Sequence, residues 1–204
     1  MKNSAAILVE VAVNQMENTV QNDCRAVFLD RDGTIIKDKG FLADKRDVEF
    51  YSFTLRALKL LQQRFKLFIV TNQSGVAKGI INIEDVETVN SYITARLSEN
   101  DIRIDDVYYC PHKNEDLCNC KKPGIYFFEL AVKNHGVIAE ASFVIGDHPS
   151  DILFARNAGA TGIFLLTGHG RSHLKEIIRH KEAGSKIIIC RDLYSASLKI
   201  LKSL

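Results

Sequence analysis

Residues 25–34 read Arg25-Ala26-Val27-Phe28-Leu29-Asp30-Arg31-Asp32-Gly33-Thr34, four apolar side chains followed at once by two acids and a glycine. So short and unbroken an apolar run suits a strand buried on both faces of a parallel sheet. Asp30 and Asp32 stand at i and i+2 of an extended segment and so project to one side, while Gly33 lets the chain turn away sharply. The strand therefore delivers a pair of carboxylates to one edge of whatever sheet it joins.

Five more runs have the same character, at residues 67–70, 106–109, 142–145, 162–166 and 186–189. Amphipathic stretches separate them. Leu55, Leu58 and Leu61 form one apolar stripe; Val86, Val89, Ile93 and Leu97 form another, with Asn82 as its N-cap. Further helices are expected over residues 126–134, 151–158, 172–181 and 193–202. Alternation repeated this often predicts right-handed βαβ units, an α/β chain with a doubly wound, mainly parallel sheet. The intervals from Thr34 to Thr71 and from Gly75 to Cys110 have room for one helix and a loop each, so no separate cap domain is expected.

The chain of 204 residues is 46% hydrophobic and 25% charged, which fits one domain with a sizeable core. A formal net charge of +2 and the absence of Trp argue against nucleic acid or an anionic membrane as partner. No apolar run approaches the roughly 20 residues that span a bilayer. The apolar stretch near the N-terminus is interrupted by Glu10 and lacks a clean cleavage site. Residues 1–23 are read as an N-terminal extension, an added strand or a disordered arm, before a single domain over 24–204. Three of the five cysteines fall within eleven residues, which suits metal ligation in a reducing, cytoplasmic compartment. Cys24 and Cys190 are expected to be small core residues.

Ligands of a doubly wound sheet bind at the carboxyl ends of its strands. There the chain places Asp30 and Asp32; Thr71-Asn72-Gln73-Ser74-Gly75; Lys121-Lys122-Pro123-Gly124; and Gly146-Asp147-His148-Pro149-Ser150-Asp151. Carboxylates gathered at one place repel unless a cation lies among them, and all-oxygen ligation favours Mg²⁺. The hydroxyls, amides and turn N–H groups of residues 71–75 can receive phosphate oxygens. Each segment alone is a common turn or helix cap; four in order, each after an expected strand, point to phosphoryl chemistry.

The series DRDGT, TNQSG, KKP and GDHPSD resembles the four motifs of the haloacid dehalogenase superfamily of phosphatases, over residues 25 to about 166. The resemblance implies that Asp30 is the nucleophile and Asp32 the general acid/base, with Thr71 and Lys122 holding the transferring phosphoryl group. It implies that Asp30, the backbone carbonyl of Asp32, and Asp147 bind Mg²⁺, and that Asp151 orients Lys122 or a metal-bound water.

Between the third strand and Lys121 runs Cys110-Pro111-His112-Lys113-Asn114-Glu115-Asp116-Leu117-Cys118-Asn119-Cys120, a C-x-H-x₅-C-x-C array. Three thiolates and an imidazole can complete a closed tetrahedral Zn²⁺ shell, the pattern of a structural site; free surface cysteines or one disulfide are the alternative, disfavoured because C-x-C is too short for an unstrained bridge. A zinc there would stiffen the loop that leads into Lys121 and Lys122. The segment is similar to one subgroup of the superfamily, which contains heptose-bisphosphate phosphatases and histidinol phosphatases. Likeness of residues 38–50 to the former implies that Asp38, Lys39, Gly40 and Phe41 line a sugar site, beside Asn72, Gln73 and Ser74. Lys37, Lys39 and Lys121 add cations for a second phosphate. Lys121 and His148 depart from the Arg and Lys usual in the subgroup. The five-residue spacing of the zinc loop is the length typical of histidinol phosphatases, which keeps histidinol phosphate as the alternative substrate. The expected partner is thus a small phosphorylated metabolite, a sugar bisphosphate first, met by a monomer or small homo-oligomer. A catalytically inactive binding domain on the same fold is the alternative of a different class, disfavoured because the catalytic set is complete.

Overall fold

The computed structural model describes residues 24–182 and 187–203. The expected N-terminal extension, residues 1–23, lies outside the described residues. Six strands form one sheet: β1 (Ala26–Leu29), β2 (Lys66–Asn72), β3 (Asp106–Cys110), β4 (Phe143–Gly146), β5 (Thr161–Leu165) and β6 (Ile187–Cys190). Their order is β3-β2-β1-β4-β5-β6 and every pairing is parallel. All six strands were expected within a few residues of where they lie; Lys186, the expected start of the last, falls outside the described residues.

Parallel neighbours need crossovers, and helices supply them: α1 (Thr54–Leu61), α2 (Ile83–Ser98), α3 (Tyr126–His135), α4 (Pro149–Ala158), α5 (Gly170–Glu182) and α6 (Leu193–Lys202). Successive β1 side chains go to opposite faces. Val27 and Leu29 pack with Leu58 and Leu61 of α1, Val89 and Ile93 of α2, and Ile200 of α6. Ala26 and Phe28 pack with Phe127 and Phe128 of α3 and Phe154 of α4. Phe28 is the hub of the second layer, its ring centroid 4.5 Å from that of Phe128 and 5.1 Å from that of Phe68. Burial on both faces is why these strands read as continuous apolar runs rather than alternating ones.

Cap and turn chemistry end the elements. Asp85 accepts a 2.8 Å hydrogen bond from the Asn82 backbone N–H at the start of α2. Gly159 closes α4 with φ +78°. The intervals after β1 and β2 hold only α1 or α2 together with loops and a short 3₁₀ turn (Lys45–Asp47), so the strand edge is roofed by loops rather than by a domain. The strand order reverses between β1 and β4, and the crevice of such a sheet opens at that switch point.

Candidate active site

Asp30 follows β1 and Asp147 follows β4, so the two strands flanking the switch point each deliver a carboxylate to the same rim. One carboxylate oxygen from each of Asp30, Asp147 and Asp151 lies within 4.8 Å of the others. Lys122 reaches in from the loop after β3. Its Nζ lies 2.6 Å from Asp30 Oδ1, 2.6 Å from Asp151 Oδ1 and 2.7 Å from the Val70 carbonyl oxygen. Its side chain is 3% exposed, so the ammonium is held by protein groups and not by solvent. Asn72, at the end of β2, fixes the lysine's backbone: its Oδ1 accepts from Lys122 N at 3.0 Å and its Nδ2 donates to Lys122 O at 3.2 Å.

Three acids against one ammonium leave the centre short of positive charge, and the electrostatics show it. Burial first, then the Asp30 and Asp151 charges, push Asp147 up to about 8. Burial also raises Asp30, to about 6, although Lys122 pulls the other way. Burial works against the Lys122 cation, but Asp151 and Asp30 outweigh it and hold its pKa above the ordinary lysine value. A hard divalent cation coordinated by oxygen would balance the residual charge, so the donor set fits Mg²⁺.

Asp147 is clamped from two further loops. It accepts a 2.7 Å hydrogen bond from the His169 backbone N–H, in the turn after β5. Gly33 (φ +81°) and Gly168 (φ +47°) close round it; a Cβ at either would stand 2.3 Å and 2.1 Å, respectively, from Asp147 Oδ2. Only glycine tolerates both the backbone conformation and that approach. Thr167 Oγ1 donates to the Gly33 carbonyl at 2.6 Å, which locks the β1 and β5 turns together.

Asp30, Asp32, Asp38, Thr71, Asn72, Lys121, Lys122, Asp147 and His148 all line one cavity of about 300 Å³, with Asn114, Ser150, Asp151 and His169. With Asp151, ten of the sequence-expected side chains are thus brought together. The other expected substrate residues are not on its wall. Gln73 is buried and donates to Asp32 Oδ2 (3.0 Å) and Thr71 Oγ1 (2.9 Å), which makes it a support for those two side chains. Ser74 sits in the turn after β2, its carbonyl accepting from Lys78 N at 3.2 Å. Lys39 is 3.4 Å from Glu49, and Lys37 is paired with the same carboxylate, in an exposed cluster away from the cavity wall. Gly40 donates its N–H to Asp38 at 2.7 Å. Phe41 packs toward Gly75 and lies under the Lys78 ammonium, 5.2 Å from ring centroid to Nζ, with 45% of its surface exposed.

His169 was not anticipated. Its Nε2 lies 2.9 Å from Asp38 Oδ2, which ties the loop after β1 to the turn after β5 across the cavity mouth. The only signal was Thr167-Gly168-His169-Gly170 directly after an expected strand. His148 caps α4: its Nδ1 accepts from Ser150 N at 3.2 Å, and burial with the nearby His173 lowers its pKa.

The four Cys/His ligand atoms also come together. Cys120 Sγ lies 3.2 Å from Cys110 Sγ and 3.3 Å from His112 Nδ1; Cys110 Sγ lies 3.6 Å from Cys118 Sγ. Tetrahedral Zn–S bonds of about 2.3 Å imply sulfur–sulfur edges of about 3.8 Å, so the cluster is close to the size a zinc ion requires. Burial raises the Cys110 and Cys120 thiols above their ordinary range, and metal binding there would release protons. Register joins this loop to the carboxylate–lysine cluster, because Cys110 pairs with Asn72 across β3 and β2.

Residues 119–195 match the HAD-hydrolase-like family model. A relative from Helicobacter pylori (strain ATCC 700392 / 26695), named D-glycero-beta-D-manno-heptose-1,7-bisphosphate 7-phosphatase, is 38% identical over 147 residues, 71% of this chain and 85% of its own. The chain belongs to the HAD-like hydrolases and is a phosphatase. A Vibrio cholerae relative with the same name is 32% identical over 188 residues, 87% of this chain and 98% of its own. Among solved structures, the D,D-heptose 1,7-bisphosphate phosphatase from B. bronchiseptica, complexed with magnesium and phosphate, superposes with TM-score 0.78 at 24% identity, over 88% of this chain and 99% of that one. At that identity the superposition speaks for the fold. No helix among the described residues is long and apolar enough to cross a membrane.

Proposed function

We propose that this chain is a Mg²⁺-dependent phosphomonoesterase that removes the 7-phosphate of a D-glycero-D-manno-heptose 1,7-bisphosphate through an aspartyl-phosphate on Asp30. The observation that carries the chemistry is Lys122 Nζ held 2.6 Å from both Asp30 and Asp151 beside Asp147, at the switch point of the sheet. The names and coverage of the relatives support the sugar bisphosphate.

Asp30, the Asp32 carbonyl and Asp147 would hold Mg²⁺, which supplies positive charge to the phosphate oxygens and to Asp30 during transfer. Lys122 and the Thr71 hydroxyl hold the phosphoryl oxygens and keep phosphorus in line with Asp30. An Asp30 carboxylate oxygen attacks phosphorus, the bond from phosphorus to the sugar oxygen breaks, and Asp32 gives that oxygen its proton. Asp32 then takes a proton from the water that attacks the aspartyl-phosphate. Inorganic phosphate leaves and Asp30 is regenerated. Asp32 is placed for both steps as a residue lining the same cavity as Asp30 and Thr71, its Oδ1 not engaged by any protein donor.

Lys121, Asn114, His148 and the Asp38–His169 pair contact the rest of the sugar, with Lys121 as the cation nearest a second phosphate. Cys110, His112, Cys118 and Cys120 bind a structural Zn²⁺ that sets the path of the chain into Lys121 and Lys122. The deciding experiment is phosphate release, with and without Mg²⁺, from both anomers of the heptose 1,7-bisphosphate and from histidinol phosphate. Faster turnover of histidinol phosphate would replace the substrate assignment. No release from any of them with Mg²⁺ present would favour a binding domain on this fold.

A further inference from the structure

Arg31, between the two motif aspartates, is the largest side chain among the described residues with no exposed surface at all. A guanidinium is rarely buried without a defined partner, because its desolvation must be offset by a paired acceptor. Here the partner is Asp32. Arg31 Nε donates to Asp32 Oδ2 at 2.9 Å and Nη2 lies 2.9 Å from the same oxygen. Nη1 donates at 2.8 Å to Oδ1 of Asn90, a buried residue of α2. Gln73 Nε2 adds a second hydrogen-bond donor to Asp32 Oδ2, at 3.0 Å. Gln73 is itself held by its backbone N–H donating to the Cys110 carbonyl at 2.7 Å.

The consequence is an asymmetric carboxyl group. Oδ2 faces only donors, so a proton placed on it would meet other protons; Oδ1, itself buried, has no partner and belongs to a residue that lines the cavity. We infer that Arg31, anchored by Asn90, is a positioning residue for phosphoryl transfer: it locks Asp32 so that Oδ1 alone exchanges the proton with the leaving oxygen. This rests on the reading of Asp32 as general acid/base. A buried ion pair adds little net stability in itself, and burying a charge at the centre of the motif is better explained by the geometry it imposes.

The test is single-turnover release of alcohol across phosphate esters of graded leaving ability, from the sugar phosphate to p-nitrophenyl phosphate, by wild type, Arg31→Met, Asn90→Ala and Asp32→Asn. A sugar alkoxide needs the proton; p-nitrophenolate does not. Arg31→Met and Asn90→Ala should slow sugar release by about tenfold or more while changing p-nitrophenol release by less than about threefold, and Asp32→Asn should show the same discrimination more strongly. Thermal melts establish that each variant is folded; where Arg31→Met is not, Asn90→Ala carries the test, since it leaves the Arg31–Asp32 pair present but unanchored. Equal slowing of both ester classes, or none, by a folded Asn90→Ala overturns the inference. Absence of discrimination in Asp32→Asn overturns instead the general-acid reading on which it rests.

Discussion

Two clusters of side chains with the chemistry to hold a metal ion, linked through the short step from Cys120 to Lys122, are assembled in opposite ways. The cysteine–histidine cluster takes all four ligands from one eleven-residue stretch, Cys110 to Cys120. The carboxylate cluster takes Asp30, Asp147 and Asp151 from two strand ends more than a hundred residues apart, and its lysine from a third. A local array closes with little help from the rest of the fold. A dispersed one exists only if β1 and β4 are neighbours and the turns after β3 and β5 close over them. The first site should therefore fail locally and the second should fail with the chemistry.

The largest effect should come from Asp30→Asn, which removes the proposed nucleophile and should lower steady-state turnover by at least about a thousandfold. Because it also removes one of three crowded carboxylates, the metal-free variant should melt no lower than wild type. Wild-type-like turnover would refute the nucleophile assignment. On the other side, Cys118→Ser should bring zinc from about one equivalent to well below it and lower the melting temperature by roughly 5–10 °C. Activity should fall too, but by about tenfold rather than to background, because Lys122 keeps its ion pairs with Asp30 and Asp151. Unchanged zinc content by elemental analysis would break the comparison outright.

Gly168→Ala sharpens it from the dispersed side. The added Cβ would meet Asp147 Oδ2 at 2.1 Å, so Mg²⁺ affinity read from activation curves should weaken by about tenfold with zinc content unaltered. The smallest effect is a dependence on pH. Asp147 is pushed up to about 8 by burial and its acidic neighbours, far above its unfolded value of 3.8. The folded metal-free protein thus holds a proton that the unfolded chain has lost. That contribution to stability is complete below about pH 4 and disappears as pH rises through about 8. Melting of metal-free protein should fall over this window, the increment from added Mg²⁺ should grow, and Asp147→Asn should flatten both slopes; a slope unchanged in that variant would assign it elsewhere.

Much of the architecture was legible before any coordinates. Strands buried on both faces are apolar along their interiors, so the runs within 25–30, 67–70 and 142–145 announced themselves. So did the acids and glycines after them, because chain turns at strand ends need those residue types. The loop cations were not legible in the same way. Lys37, Lys39 and Lys121 look alike in sequence, yet the first two are paired with Glu49 and only the third lines the cavity. Gln73 and Asn72 read as phosphate ligands; the fold commits Gln73 to Asp32 and Thr71, and the amide of Asn72 to the Lys122 backbone.

From its sequence alone could be read which segments of this protein are strands, which strand ends bear acids, and which eleven residues carry four side chains suited to a metal. Each of those depends on neighbours along the chain, where burial and backbone geometry leave a periodic or compositional trace. Tertiary structure alone decided the remainder: Arg31 against Asn90, His169 against Asp38, and two distant glycines against Asp147. Hydrogen bonds and charge pairs leave no trace in one sequence when their partners are brought together only by packing, and these contacts determine which way each reactive atom points.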